Sequence, residues 1–263
     1  FRLKMIVCSW NINSVRMREN LLLELINSLN PDVVFLQEIK CQDNEFPLLY
    51  KEKNYNLVIN GEKGKYGVAI LIKKKIEFEE INFESDIFKC EARICGIKIK
   101  NNLNLHLINI YAPNGNPIES KDKFSYKIKW YGELHKVIKK LINSKTNLIL
   151  AGDFNVIEHP DDVQDFDKWQ KDALGHISSR KKFREILFSG LTNIVRLFYK
   201  PGEIYSFWDY QKASWERNYG LLIDHFLLSP KLSCLVESIF FEKEYRGKQK
   251  PSDHIPLWIK LST

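Results

Sequence analysis

Leu148-Ile149-Leu150-Ala151 is a short apolar run that ends directly on Gly152-Asp153-Phe154-Asn155. A run of that length, closed by a carboxylate and an amide, reads as a buried strand delivering polar residues at its end. Upstream, Glu119 to Asn143 carries Phe124, Ile128, Tyr131, Leu134, Ile138 and Leu141 at helical spacing. Lys121, Lys123, Lys127, Lys129, Lys136 and Lys139 crowd the remainder of that helix. Before the helix, Leu103 to Tyr111 alternates as a strand and ends on Asn109-Ile110-Tyr111. Strand, helix and strand, with polar residues just past the strand ends, predict an α/β fold whose ligands sit at the strands' carboxyl ends.

The first half of the chain has the same rhythm. Met5 to Ser9 reads as a strand, Val15 to Leu29 as a helix, and Val33 to Leu36 as a strand after the Pro31-Asp32 break. Leu57 to Ile59, Tyr66 to Ile72 and Ile94 to Ile99 are further strands. A helix near Arg180 to Phe188 follows, then strands near Leu222 to Leu228, Val236 to Phe241 and Leu257 to Leu261. No Pro/Gly/Ser linker, repeat or low-complexity tract divides these elements, so residues 1–263 are expected to form one catalytic domain. Phe1 to Lys4 precede Met5 and are read as upstream residues outside it.

Hydrophobic residues make up 44% of the chain and charged residues 28%, which excludes a disordered tail or a fibre. No apolar run approaches the roughly 18–20 residues of a membrane span. The opening residues lack the charged and apolar regions of a secretory leader, so a cytoplasmic location is expected. Forty Lys and Arg against 33 Asp and Glu give a net charge of +7, which suits a polyanionic partner. Cys8, Cys41, Cys90, Cys95 and Cys234 are scattered and contain no CxxC pair, which suits free thiols better than disulfides or zinc.

Polar clusters follow the strands at Trp10-Asn11-Ile12-Asn13, Leu36-Gln37-Glu38, Asn109-Ile110-Tyr111, Gly152-Asp153-Phe154-Asn155 and Ser252-Asp253-His254. Ile223-Asp224-His225 sits within a strand-like run. One such cluster is ordinarily a capped turn, but six in one chain point to a shared site. Carboxylates are seldom buried without a partner. Glu38, Asp153 and Asp253, with the amides of Asn11 and Asn155, offer the oxygen ligands that a hard cation such as Mg²⁺ takes. His254 is the candidate base or phosphate partner. By strand alternation His225 faces away from Asp224 and is read as structural. No GxGxxG, Walker A or GxSxG motif is present, which leaves nucleotide-cofactor binding without a motif and lowers an α/β-hydrolase reading.

Longer segments are more specific: Ser9-Trp10-Asn11-Ile12-Asn13-Ser14-Val15-Arg16, Leu36-Gln37-Glu38 with Lys40, and Tyr66-Gly67-Val68-Ala69-Ile70. Asn109-Ile110-Tyr111-Ala112-Pro113-Asn114-Gly115, Lys127 to Tyr131 and Ser206-Phe207-Trp208-Asp209-Tyr210 continue the series to the Asp224 and Asp253 segments. In these segments the chain resembles the bacterial exonuclease III/AP endonuclease family of the DNase I-like superfamily. The resemblance implies a four-layer α/β sandwich of two mixed sheets flanked by helices. It implies Mg²⁺, with Mn²⁺ as an alternative, held chiefly by Glu38 with Asn11 and Asp253 nearby. Asp153 would handle the attacking water or the leaving oxygen, and Asn155 would orient the phosphate. Asp224 and His254 would form a pair at the scissile phosphate, with the Tyr111 phenol beside it. Phe207 and Leu221 would wall a pocket for a base-less sugar. Trp208 beside them would be a further DNA contact, and Lys127 and Arg180 would meet the DNA backbone.

The implied activities are 3′→5′ exonuclease action on duplex DNA, incision at abasic sites and cleaning of 3′ ends in base excision repair. The implied partner is double-stranded DNA with abasic sites or 3′ ends, met by a monomer without a membrane. The Gly-Asp-x-Asn and Ser-Asp-His motifs alone would also fit a phosphoinositide or lipid phosphoesterase. A DNA-binding module with a dead site is the non-enzyme alternative. In place of the arginine usual in the family two residues before the strand aspartate, this chain has Leu222.

Overall fold

The strands that deliver the polar clusters lie in two sheets. A computed structural model describes residues 4–47, 53–100 and 104–262. The first strands are β1 (Lys4–Asn11), β2 (Val33–Gln37), β3 (Tyr55–Asn60), β4 (Val68–Lys73), β5 (Phe78–Glu80) and β6 (Ile94–Ile99). They are followed by β7 (Leu105–Tyr111), β8 (Asn147–Asp153), β9 (Thr192–Asn193), β10 (Asp224–Leu228), β11 (Val236–Phe241) and β12 (Leu257–Ser262). The longer helices are α1 (Glu19–Leu29), α2 (Lys121–Asn143) and α3 (Ile177–Leu187).

One sheet has the order β11-β12-β1-β2-β4-β3 and the other β5-β6-β7-β8-β10-β9. Each contains one parallel pair, β1 with β2 and β7 with β8, flanked by antiparallel neighbours. Parallel neighbours need a crossover, and α1 and α2 supply it. Strand alternation divides the apolar residues. Val7, Phe35, Ile70, Leu107, Ile149 and Phe226 fill the space between the sheets. Trp10, Val34 and Leu36 turn outward onto Leu22, Leu25 and Ile26 of α1. Ile108, Leu148 and Leu150 turn outward onto α2 and α3. The result is the expected four-layer α/β sandwich.

The inter-sheet core is pinned by amides just beneath the strand ends. Asn109 Nδ2 donates to the Leu36 and Ala69 carbonyls of the opposite sheet, each at 2.9 Å. Gln37 Nε2 donates to Asn109 Oδ1 at 2.7 Å and to Ser9 Oγ at 3.1 Å. Because buried amides need partners, this network fixes how the sheets register where the site is built.

Several boundaries differ from the sequence reading. Lys4 opens β1 opposite Ser262, so it belongs to the folded sheet. The Val15 end of the predicted helix is a turn: Ser14 and Val15 N–H groups bond the Glu38 and Ile39 carbonyls at 2.7 and 3.2 Å. Leu103, expected to begin a strand, lies outside the described residues. The short strands β5 and β9 carry too few residues for a periodic signal. Among the described residues, no helix is long and apolar enough to cross a membrane.

Candidate active site

Asn11, Tyr111 and Asp153 are the last residues of β1, β7 and β8, Glu38 follows β2, and Asp224 opens β10. Gly152 permits the close approach that brings β8 into place. Its φ is +139°, and a Cβ there would lie 2.0 Å from the Ile110 carbonyl oxygen. The turns beyond the strands use left-handed backbone at Asn13, Glu38 and Asn155, with φ of 47°, 51° and 47°. Asparagine tolerates that region well.

These ends converge. Asn11 Nδ2 donates to Glu38 Oε1 and to Asp153 Oδ2, both at 3.0 Å, so one amide spans both carboxylates. The Asn155 backbone N–H donates to Asp153 Oδ1 at 2.8 Å, and its side-chain Nδ2 to Asp153 Oδ2 at 3.3 Å and the Ala112 carbonyl at 2.9 Å. The His254 ring lies between two acids: Nδ1 is 2.7 Å from Asp224 Oδ2 and Nε2 is 3.7 Å from Asp153 Oδ2. Ser206 Oγ donates to Asp224 Oδ2 at 2.6 Å. Among the described residues, Asp153, Asp224 and His254 form the one cluster of three such groups whose ligand atoms lie within 4.8 Å. Asp224 Oδ1 is buried without a partner.

Burial raises the Asp153 carboxyl to about 7, with Asp224 adding to the effect and the His254 charge opposing it. Burial disfavours a charged imidazole, but Asp224 and Asp153 outweigh it and raise His254 to about 10. Burial also disfavours the Glu38 carboxylate, yet Lys40, Asn11 and His254 together hold its pKa below the usual range. Burial, with Glu38 and Asp153 nearby, holds the Tyr111 phenol well above 10. The Arg93 guanidinium stacks over the Tyr111 and Tyr66 rings, 4.8 and 3.9 Å from their centroids.

A cation already stands at Glu38: Lys40 Nζ is 2.8 Å from Oε2 and 2.6 Å from Asn13 Oδ1. Asn13 Nδ2 in turn donates to Asp253 Oδ1 at 3.0 Å. Carboxylate and amide oxygens around a positive charge form a donor set that fits a hard divalent cation. Asn11 and Asn155 differ from expectation. They turn amide nitrogen toward the carboxylates, while Asn11 Oδ1 accepts from the Asn13 N–H and Asn155 Oδ1 from Asn114 Nδ2. In this arrangement they orient carboxylates rather than offer oxygen.

Beside His254, Phe207 stacks edge-on at 4.9 Å between ring centroids and bridges to Leu221. Phe207 and Leu221 line a cavity of about 610 Å³ with Trp169, rimmed by Lys168, Lys212 and Arg217. Trp208 is outside that lining. It is 1% exposed, packs on Trp215 and donates from Nε1 to Asn218 Oδ1 at 3.3 Å, so it acts in packing rather than DNA contact. Arg180 is half-buried, over the Phe166 ring and bonded to the Glu158 carbonyl at 3.2 Å.

Lys127 requires the largest correction. It is fully buried, with none of its surface open to solvent. Its ammonium donates to the carbonyls of Asn155, Asn114 and Ala173 at 2.6, 3.0 and 3.0 Å. Burial pushes it down to about 7, with Asp172 and Asp153 opposing the shift. The signal was in the spacing: Lys127 shares a helix face with the buried Trp130, Tyr131, Leu134 and Ile138. His225 is structural as read, buried with Nδ1 3.3 Å from Asn193 Nδ2. Leu222 is fully buried in the inter-sheet core, and the buried Asp162 nearby pairs with Arg196. Arg93 was not singled out and Ser206 was quoted only within its segment; an arginine before a strand and a serine in a loop give no distinct local signal.

Residues 8–254 match the Endonuclease/Exonuclease/phosphatase family. The chain is 32% identical to exodeoxyribonuclease III of Haemophilus influenzae over 262 residues, covering 96% of this chain and 98% of the relative. Its structure resembles that of an AP endonuclease from Archaeoglobus fulgidus with TM-score 0.90 and 30% identity, covering 98% and 99% of the two chains. It resembles the 3′ phosphatase NExo from Neisseria, solved with a product DNA hairpin, with TM-score 0.90 and 28% identity over 98% and 99%. The family match spans the chain from before Asn11 to His254, and the chain belongs to the Endonuclease/Exonuclease/phosphatase family.

Proposed function

We propose that the protein is a divalent-metal-dependent DNA-repair phosphodiesterase that works as a monomer. Its activities are abasic-site incision, 3′→5′ exonuclease action and removal of 3′ blocking groups on duplex DNA. The observation that carries this reading is the buried Asp153–His254–Asp224 cluster beside Glu38, next to a cavity whose apolar wall is Phe207, Leu221 and Trp169 and whose polar lining mixes Lys168, Lys212 and Arg217 with Asp165 and Asp209. The relatives named as exodeoxyribonuclease III and AP endonuclease support it.

Glu38, Asp153 and Asp253 are the oxygen donors for Mg²⁺, or alternatively Mn²⁺. When bound, the metal supplies charge neutralisation at a phosphate oxygen. In the reaction, a water oxygen bonds to phosphorus and the bond to the leaving sugar oxygen breaks. Asp153, held by the Asn11 and Asn155 amides, exchanges the proton with the attacking water or the leaving oxygen, an effect of about 10²–10⁴-fold. The charged His254 ring offers Nε2–H to a phosphoryl oxygen, while Asp224 holds Nδ1 and favours the cation. The Asn155 amide and the Tyr111 phenol complete the phosphate side. The cavity walled by Phe207 and Leu221 receives a sugar without its base.

A gel assay tests this reading with an abasic duplex and a recessed 3′ end, with and without Mg²⁺. Mg²⁺-dependent incision and 3′ degradation are expected. Turnover of phosphoinositide in preference to both DNA substrates would overturn it, as would DNA binding without turnover.

A further inference from the structure

Lys127 Nζ is buried with no carboxylate in contact. Its three N–H groups are matched by three carbonyl oxygens, one from each of three segments: Asn114 after β7, Asn155 after β8, and Ala173 before α3. An ammonium has three donors, so this cradle uses all of them. The fit is close along the stem too, since a Cβ on Gly115 would lie 2.7 Å from Lys127 Cδ. An uncompensated charge is costly to bury, and an apolar side chain of the same length would leave the Asn114 and Asn155 carbonyls without this partner, while the Ala173 carbonyl would keep Ser179 Oγ. The cradle therefore ties the Asn114 and Asn155 turns to each other and to the Ala173 segment, which Ser179 and Asn116 also hold.

Those turns carry site amides. Asn155 has φ of 47°, and its side chain touches Asp153 Oδ2 and the Ala112 carbonyl. Asn114 reaches the other end of the same amide, with Nδ2 3.3 Å from Asn155 Oδ1. Ala173 is tied to α3 by Ser179 Oγ at 2.6 Å and to the Asn116 side chain at 2.9 Å.

We propose that Lys127 is a positioning residue: by clamping the Asn155, Asn114 and Ala173 carbonyls it aims the Asn155 side-chain amide, and it never touches DNA. This inference rests on the phosphodiesterase reading for its kinetic consequence, but the geometry it asserts is independent of that reading. Losing one aimed donor in such sites costs on the order of 10²-fold in rate.

The experiment compares the parent, Lys127→Met, Asn155→Ala and the double variant on an abasic duplex, after confirming cooperative unfolding of each. Lys127→Met should lower kcat on the order of 10²-fold, leaving KM and the salt dependence of DNA binding unchanged. Because the two residues act as a unit, the double variant should lose little more than Asn155→Ala alone. The Asn155 side-chain amide resonances, assigned by their loss in Asn155→Ala, should shift in Lys127→Met. If Lys127→Met does not fold, Lys127→Gln, which retains two donors, takes its place in the same cycle. Additive losses, an unchanged kcat or unmoved Asn155 resonances would overturn the proposal. So would an effect confined to KM and the salt slope, which would mark a phosphate contact instead. A parent inactive on both DNA substrates refutes the assigned function alone, because the resonances still decide the positioning role.

Discussion

His254 Nδ1 lies 2.7 Å from Asp224 Oδ2, and the opposite ring nitrogen faces Asp153. Ser206 donates to the same Asp224 oxygen at 2.6 Å, so the acid is held while it holds the ring. If Asp224 acts only through His254, Asp224→Ala and His254→Ala should lose similar activity, on the order of 10²–10³-fold. The double variant should be little worse than either, because residues acting as a unit are non-additive. Single-turnover rates on an abasic duplex decide it, and multiplicative losses would separate the two roles.

The same pair predicts how stability varies with pH in chelator-treated protein. His254 is raised from an ordinary 6.5 to about 10, mainly by the acids that overcome its burial. The folded state therefore holds a proton that the unfolded state releases. This stabilisation is fully present below about 6.5 and is lost as pH rises through about 10. The slope for one such proton is about 1.4 kcal/mol per pH unit. Lys127, pushed down to about 7, contributes a rise over the same range in both proteins, so the measurement is the difference: the urea-midpoint advantage of the parent over Asp224→Asn should shrink between about pH 7 and 9.5. Parallel curves for parent and variant would show that Asp224 does not set the imidazole charge.

Glu38 is the acid kept ionised by its surroundings. Burial opposes its charge, but Lys40 at 2.8 Å and the Asn11 amide at 3.0 Å favour it. Glu38→Gln removes the negative charge and keeps the shape. The Mg²⁺ concentration for half-maximal activity should rise, and the Tm gain on adding Mg²⁺ should shrink. Identical Mg²⁺ titrations in the two proteins would remove Glu38 from the metal site.

The sequence made the strand-end residues legible for a local reason. An apolar strand followed at once by Asn11, Glu38, Tyr111 or Asp153 states both the element and the end at which its side chain emerges. His254 was legible as the histidine beside a carboxylate in such a cluster. Lys127 and Trp208 were misread because charge and aromaticity were taken as signs of a surface. Only the packed α2 face and the Trp215 contact show them as interior groups. The orientation of the Asn11 amide was also illegible, since which atom faces Glu38 depends on carboxylates 27 and 142 residues away.

The cavity gives the last prediction. Phe207 lies against the His254 ring and is bridged to Leu221, so the apolar wall adjoins the proposed phosphate site directly. Leu221 is 3% exposed, yet it lines the cavity with Trp169. A nucleotide leaving the stack costs a few kcal/mol, least at a damaged position. The cavity as a whole is roomy, at about 610 Å³, so selection falls to the Phe207–Leu221 wall beside His254, which would take bare deoxyribose against it and refuse a sugar that keeps its base. Leu221→Ala should enlarge the space at a stability cost of about 2–5 kcal/mol. The ratio of kcat/KM for intact over abasic duplex should rise in that variant. Trp208→Phe, altering a residue outside the lining, should leave the ratio unchanged. If the ratio is unmoved in a folded Leu221→Ala protein, Leu221 does not belong to the recognition wall. If it moves equally in both variants, selectivity depends on the rigidity of the whole loop that carries Trp208 and Trp215.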